Sequence, residues 1–255
     1  MWFIPPRNNT ARSPAEAFAL QRGQGNVASM KIAVLGTGTV GRTLAGGLSA
    51  LGHDVVMGTR DPQETFARNT PNALGAPPFS EWHAANQHIA LETFADAAAA
   101  AELVVNATNG AGALSALSAA GSANLAGKVL VDVSNPLDFS QGMPPVLNPV
   151  NTDSNGERIQ HAFPEARVVK TLNTMNAGLM IDPGRLGGGD HSVFVSGDDA
   201  DAKAAVTELL RSLGHRDIID LGDITTARGA EMMLPVWLRL WSVLGTPDFN
   251  FKIVR

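Results

Sequence analysis

Residues 31–60 constrain this chain more than any other stretch. They open Lys31-Ile32-Ala33-Val34-Leu35-Gly36-Thr37-Gly38-Thr39-Val40-Gly41, run through Arg42 to Gly52, and close on His53 to Arg60. A short β-branched run feeds a glycine turn. Val40, Leu44, Leu48 and Leu51 then recur at helical spacing, and Val55-Val56-Met57 is a second apolar run. The pattern predicts strand, turn, helix, strand, with glycines where a dinucleotide pyrophosphate approaches the backbone. Glycines turn many strands into helices without any ligand. The position of this G-x-G-x-x-G between a strand and a helix favours the dinucleotide. Gly36, Thr37, Gly38, Thr39, Val40 and Gly41 are therefore cofactor-binding candidates, with the amides of residues 37–40 at a helix N-terminus.

The second apolar run ends in Gly58-Thr59-Arg60. An NAD site places Asp or Glu there, roughly 20 residues after the glycines, on the ribose hydroxyls. A carboxylate would repel a 2′-phosphate, whereas a hydroxyl and a guanidinium bind one. Thr59 and Arg60 thus predict NADP. The alternative makes Asp61 the ribose acid and Arg60 a solvated charge. Pro62 argues that Asp61 is instead the cap of a helix over 62–69.

Strands are expected over 89–91, 103–107, 128–133 and 167–172, with helices over 94–101, 111–120 and 154–163 between them. Such alternation predicts an α/β fold, a doubly wound parallel (Rossmann) sheet over 30–172. The long loop after residue 69, with a helical turn near 80–85, reads as functional or as an insertion. The segment 137–151, with Pro144, Pro145 and Pro149, is expected to be loop. After 172 the pattern changes. A strand over 191–196, a helix over 201–213, a strand over 215–220 and a helix over 225–244 kinked at Pro235 follow. Residues 1–29, with Pro5-Pro6 and Asn8-Asn9, read as a disordered arm or an overlong start.

Three strand ends carry small polar residues: Asn106-Ala107-Thr108, Ser134-Asn135-Pro136 and Asn173-Thr174-Met175-Asn176. Ligands of open α/β sheets bind along the carboxyl edge of the strands. The first two groups and Asn173 are assigned to the cofactor. Thr174, Met175, Asn176 and Arg228 are assigned to the substrate. A polar turn or helix cap explains each group separately, and an ion pair explains Arg228.

Composition removes other chemistries. The chain has no Cys and no Tyr, which excludes thiolate catalysis, disulfides and a Tyr-Lys proton donor. Its net charge of -5 argues against a nucleic-acid partner. No apolar run reaches the ~18–20 residues of a membrane span, and a cytoplasmic location is expected. The six histidines show no metal spacing, so no metal is expected.

The chain resembles the NADPH-dependent reductases of the deazaflavin coenzyme F-420, the F-420:NADP oxidoreductases. It is also similar to the cytosolic domain of the six-transmembrane epithelial antigen of the prostate metalloreductases. The resemblance spans roughly residues 30–255. It rests on the glycine motif, on Leu51-Gly52-His53-Asp54-Val55 leading to Gly58-Thr59-Arg60, on Val168-Val169-Lys170-Thr171-Leu172-Asn173-Thr174, on Val195-Ser196-Gly197-Asp198-Asp199, and on the helix from Ala227-Arg228. At position 173 the F-420 reductases carry His, and this chain carries the Asn of the metalloreductase form. The resemblance implies an NADP-binding Rossmann domain, a small C-terminal α/β domain over 173–255, a cleft between them and a homodimer. It implies hydride transfer between nicotinamide and a deazaflavin or flavin, with Thr59 and Arg60 on the 2′-phosphate.

That chemistry suits what the chain lacks. Hydride passing between two stacked rings needs alignment more than a side-chain acid. The alternatives are an NADP-binding regulatory module without turnover, or an imine or β-hydroxyacid-type reductase. The latter builds a large helical domain where this chain has only one long helix.

Overall fold

A computed structural model describes residues 29–71 and 75–255. The arm expected over 1–29 lies, except for Ser29, outside the described residues.

The first unit is β1 (Lys31–Leu35), α1 (Thr39–Ala50) and β2 (Asp54–Thr59). Then come α2 (Pro62–Ala67), α3 (Phe79–Ala84), β3 (Ala90–Thr93), α4 (Phe94–Ala100) and β4 (Leu103–Asn106). A single 3-10 turn leads to α5 (Ala113–Ala120), followed by α6 (Ser122–Leu125) and β5 (Val129–Asp132). The proline-rich segment holds a short hairpin, β6 (Leu137–Asp138) with β7 (Val146–Leu147), where only loop was expected. The chain continues through α7 (Asn155–Ala162), β8 (Arg167–Thr171), α8 (Ala177–Ile181), β9 (Ser192–Ser196), α9 (Ala200–Ser212) and β10 (Asp217–Asp220). It finishes with α10 (Ala227–Met232) and α11 (Leu234–Leu244).

The cap signals act as their chemistry dictates. Asp61 accepts the Glu64 amide at 2.9 Å, with Pro62 in the first turn of α2. Ser154 accepts the Glu157 amide at 3.1 Å and its hydroxyl donates to that carboxylate at 2.8 Å, which caps α7. The helix expected over 225–244 is two helices. They break at Met233, just before Pro235, which has no amide to continue the first.

Eight strands form one sheet in the order β10-β9-β8-β5-β4-β1-β2-β3. From β3 to β8 every pairing is parallel. The C-terminal α/β region is built onto the edge of this same sheet. β9 pairs antiparallel with β8 because the link between them contains no full crossover helix, only α8 and two 3-10 turns. Alternate strand residues feed two cores. Ile32, Val34, Met57 and Val105 pack under α1, while Ala33, Leu35, Val104 and Leu130 pack under α4 and α5. The chain leaves β1 in one direction through β2 and β3, then returns to its other side at β4. That reversal opens a crevice at the carboxyl ends of β1 and β4, the place where such sheets bind ligands.

Candidate functional site

Each glycine of the turn after β1 has its own reason. Gly36 lies at φ +116°, and a Cβ there would sit 2.6 Å from the Ala107 carbonyl oxygen. That close approach locks the turn to the end of β4. A Cβ on Gly41 would collide with the Gly36 carbonyl. A Cβ on Gly38 would meet nothing within 4 Å, so this glycine borders open space. Gly38 caps α1 without a side chain, and no acid occupies the first turn. The helix therefore presents an electropositive end to the crevice. Arg42 secures the turn from behind. Its Nε donates to the Thr37 carbonyl at 2.8 Å, its Nη1 to that of Pro77 at 2.5 Å, and its guanidinium lies 5.5 Å from the centre of the Phe79 ring. The long segment after α2 is thereby strapped across the glycine turn.

At the end of β2, Thr59 is buried and its hydroxyl meets that of Thr65 at 2.9 Å. Arg60 is exposed and forms no ion pair among the described residues. The Asp61 carboxylate is occupied with capping α2, as Pro62 had suggested.

The three polar strand ends do come together, but mostly by bonding to one another. Asn106 is fully buried. Its Nδ2 donates to Asp132 Oδ1 at 2.8 Å and its Oδ1 accepts the Thr108 hydroxyl at 2.6 Å. It brackets the loop that carries Ala107 and Thr108, and those two residues are the partly exposed ones. Asn135 and Asn173 form a reciprocal pair. Asn135 Nδ2 donates to the Asn173 carbonyl at 3.0 Å, and Asn173 Nδ2 donates to Asn135 Oδ1 at 3.1 Å. Asn173 Nδ2 also reaches the Ala230 carbonyl at 3.0 Å, tying β8 to α10. Pro136 is buried beside this pair.

The residues assigned to the substrate are largely committed elsewhere. Thr174 and Met175 are buried. Asn176 caps α8 through the Leu179 amide and donates to the Pro247 carbonyl at 2.6 Å. Arg228 turns its guanidinium onto Glu157 in a two-pronged ion pair, with Nε at 2.8 Å. Its fork faces a protein carboxylate and not the crevice.

Sequence reasoning missed the centre beneath this edge. Lys170 Nζ lies 2.7 Å from Asp132, 2.7 Å from Glu231 and 2.6 Å from the Ser134 carbonyl. Burial pulls the ammonium's pKa down, and the two carboxylates more than reverse this, leaving it raised. Glu231 is also held by the Asn155 and Gly156 amides at the start of α7. Asn155 Nδ2 reaches the Ser134 hydroxyl at 3.3 Å. The signal was present: Lys170 and Asp132 each interrupt an apolar strand where no side chain can reach water.

The family model described as NADP oxidoreductase, coenzyme F-420-dependent, matches residues 31–136. The chain is 28% identical over 225 residues to the F-420-dependent NADP reductase of Methanothermobacter marburgensis, covering 83% of this chain and 92% of that one. It is 30% identical over 211 residues to the metalloreductase STEAP3 of Rattus norvegicus, and there it spans only 38% of the relative's length. The imine reductase of Pseudomonas, at 22% identity and TM-score 0.55, shares the fold alone. The crystal structure of a protein of Arthrobacter sp. FB24, assigned as an F-420-dependent NADP reductase, is 70% identical with TM-score 0.86. That match covers 89% of this chain and 100% of the other. On that likeness, carried along the whole sheet and its glycine turn, the chain belongs to the coenzyme F-420-dependent NADP oxidoreductase family.

Proposed function

We propose that this chain is an NADP(H)-dependent oxidoreductase that passes hydride between nicotinamide and the ring of a deazaflavin, with a flavin as the second ring acceptor. The observation that carries the cofactor choice is the end of β2. Thr59 and Arg60 stand where an NAD site has its acid, and the carboxylate that follows them, Asp61, caps a helix. The crevice fits a dinucleotide: Gly38 borders open space, and the α1 N-terminus has neither a side-chain cap nor an acid.

Gly36, Thr37, Gly38, Thr39, Val40 and Gly41 take the pyrophosphate in this reading. Thr59 and Arg60 take the 2′-phosphate. Ala107, Thr108 and Asn135 line the nicotinamide side, and Asn106, Ser134 and Asn173 hold those loops in place. The bound coenzyme supplies a hydride at its nicotinamide ring. A ring acceptor needs that hydride in line and needs no tyrosine or cysteine, and the chain has neither. Thr174, Met175, Asn176 and Arg228 support the C-terminal region in this reading and do not touch the acceptor, since the first two are buried and the other two are bonded to protein groups.

The assembly we propose is a homodimer through α11 and the C-terminal tail. Val236, Val243, Leu244 and Val254 are at least half exposed there, more apolar surface than a lone helix keeps in water. No helix among the described residues is long and apolar enough to cross a membrane. We place the enzyme in the cytoplasm, where nicotinamide coenzymes circulate.

The test is absorbance-monitored turnover of NADPH with coenzyme F-420, FMN and FAD. Turnover with F-420 supports the reading. Inertness toward all three, with tight NADPH binding, would replace it with a regulatory binding module.

A further inference from the structure

We infer that Arg68 is a second cation for the 2′-phosphate, set beside Thr59 and Arg60 by Thr65, and that it helps decide between NADP(H) and NAD(H). The inference rests on the NADP reading above and adds two residues to it.

Thr65 lies three residues before Arg68, so their side chains share one face as α2 ends. Arg68 Nη2 donates to Thr65 Oγ1 at 3.1 Å. Thr65 in turn meets Thr59 Oγ1 at 2.9 Å and the Asp61 carbonyl oxygen at 2.8 Å. Both threonines are buried, at 6% and 2% exposure, so their hydroxyls are fixed. Thr65 has one proton. Given to the Asp61 carbonyl, it leaves Thr65 Oγ1 as acceptor for both Thr59 and Arg68. Thr59 can then turn its own proton to an incoming phosphate oxygen, and Thr65 stays satisfied.

Arg68 is exposed, and among the described residues it forms no ion pair. A guanidinium has five donors, and this contact uses one. What remains is a charged fork next to the hydroxyl proposed to meet the phosphate. The helix carrying it is held firmly. Phe66 packs edge-on against Phe79 at 5.4 Å and His83 at 5.1 Å between ring centres. Asp61 accepts the amide of Glu64 and, among the described residues, forms no ion pair with either arginine.

The experiment is calorimetric titration of the full chain with NADPH, NADH and 2′-AMP. The variants are Arg68→Ala, Arg68→Lys, Thr65→Val and Arg60→Ala, each checked for folding by thermal melt. A charged hydrogen-bonding partner is worth roughly 10- to 100-fold in affinity. Arg68→Ala is expected to lose that much for NADPH and 2′-AMP and nothing for NADH. Arg68→Lys should lie between it and wild type, because an ammonium keeps the charge without the fork. Thr65→Val, which removes a hydroxyl and no charge, is expected to cost NADPH affinity about 3- to 10-fold.

Wild-type NADPH affinity in Arg68→Ala, alongside a loss in Arg60→Ala, would overturn the inference and leave the NADP reading standing. So would equal losses for NADPH and NADH in Arg68→Ala, which mean the arginine only steadies its loop. Wild-type NADPH affinity in folded Thr65→Val would overturn the role of the threonine. Should the wild-type chain bind NADH as tightly as NADPH, the NADP reading itself fails and takes this inference with it.

Discussion

Lys170 Nζ lies 2.7 Å from Asp132 Oδ2, and the two residues are register partners on adjacent strands with no side-chain exposure. The same ammonium meets Glu231 at 2.7 Å, so one cation serves two buried carboxylates. Desolvating three charges is expensive, and removing the shared partner is worse than never having buried the group. Lys170→Met is expected to lower stability by about 3–5 kcal/mol, read from the urea midpoint. Combined with Glu231→Gln, the loss should be smaller than the two single losses added, because the second change removes a charge the first had stranded. Strict additivity would show that the two residues do not share an ion pair.

The same site makes an alkaline prediction. Burial depresses the Lys170 pKa, the two carboxylates overcome that, and the net direction is upward. A lysine raised in the folded state contributes stability that is complete below its unfolded value, about 10.4, and fades as pH rises through the folded one. Melting temperature should therefore fall above about pH 10.4 in the wild type. Part of that fall should vanish in Lys170→Met, and identical profiles would refute the assignment.

The sheet was legible because its signal is local. The strands of the sheet were read from short apolar runs and the longer helices from periodic faces, and Asp61 and Ser154 marked helix starts by chemistry that acts within a few residues; Pro235, read as a kink, instead separates two helices. The glycine motif was legible for the same reason. The partnerships of the polar edge were not. Asn106 binds Asp132 26 residues on, Asn173 binds Ala230 57 residues on, and Arg228 folds back on Glu157 across 71. Spacing along the chain carries no trace of such contacts. Asn106, read from the sequence as a ligand contact, is buried and has its amide engaged by Asp132 and Thr108. The reversed direction of β9 is equally non-local, since it depends on how a connection packs and not on the strand's own residues.

His215 gives a test at acid pH. It is buried, and its Nε2 pairs with the Met180 carbonyl at 3.0 Å. Burial, helped by nearby His191 and opposed by the Met180 bond, lowers its pKa from 6.5 to about 4. The unfolded chain takes up the proton first as pH falls. Stability is therefore full above about pH 6.5 and declines between there and about 4, by roughly 3 kcal/mol in all. Urea midpoints across that range should show the decline, and His215→Gln should flatten it. The same slope in both proteins would place the acid sensitivity elsewhere.

The glycines separate fold from function within one motif. A side chain at Gly36 meets the Ala107 carbonyl at 2.6 Å and also needs φ +116°, and one at Gly41 strikes the Gly36 carbonyl. Gly36→Ala and Gly41→Ala should each lose a few kcal/mol of stability, of order 1–3, with cofactor binding failing alongside. Gly38 has open space around it, so Gly38→Ala should melt within a few degrees of wild type. Its new methyl points into the crevice where a pyrophosphate would approach, and NADPH affinity should fall at least ~10-fold. A Gly38→Ala protein that keeps both its melting temperature and its NADPH affinity would mean the coenzyme does not lie across this turn.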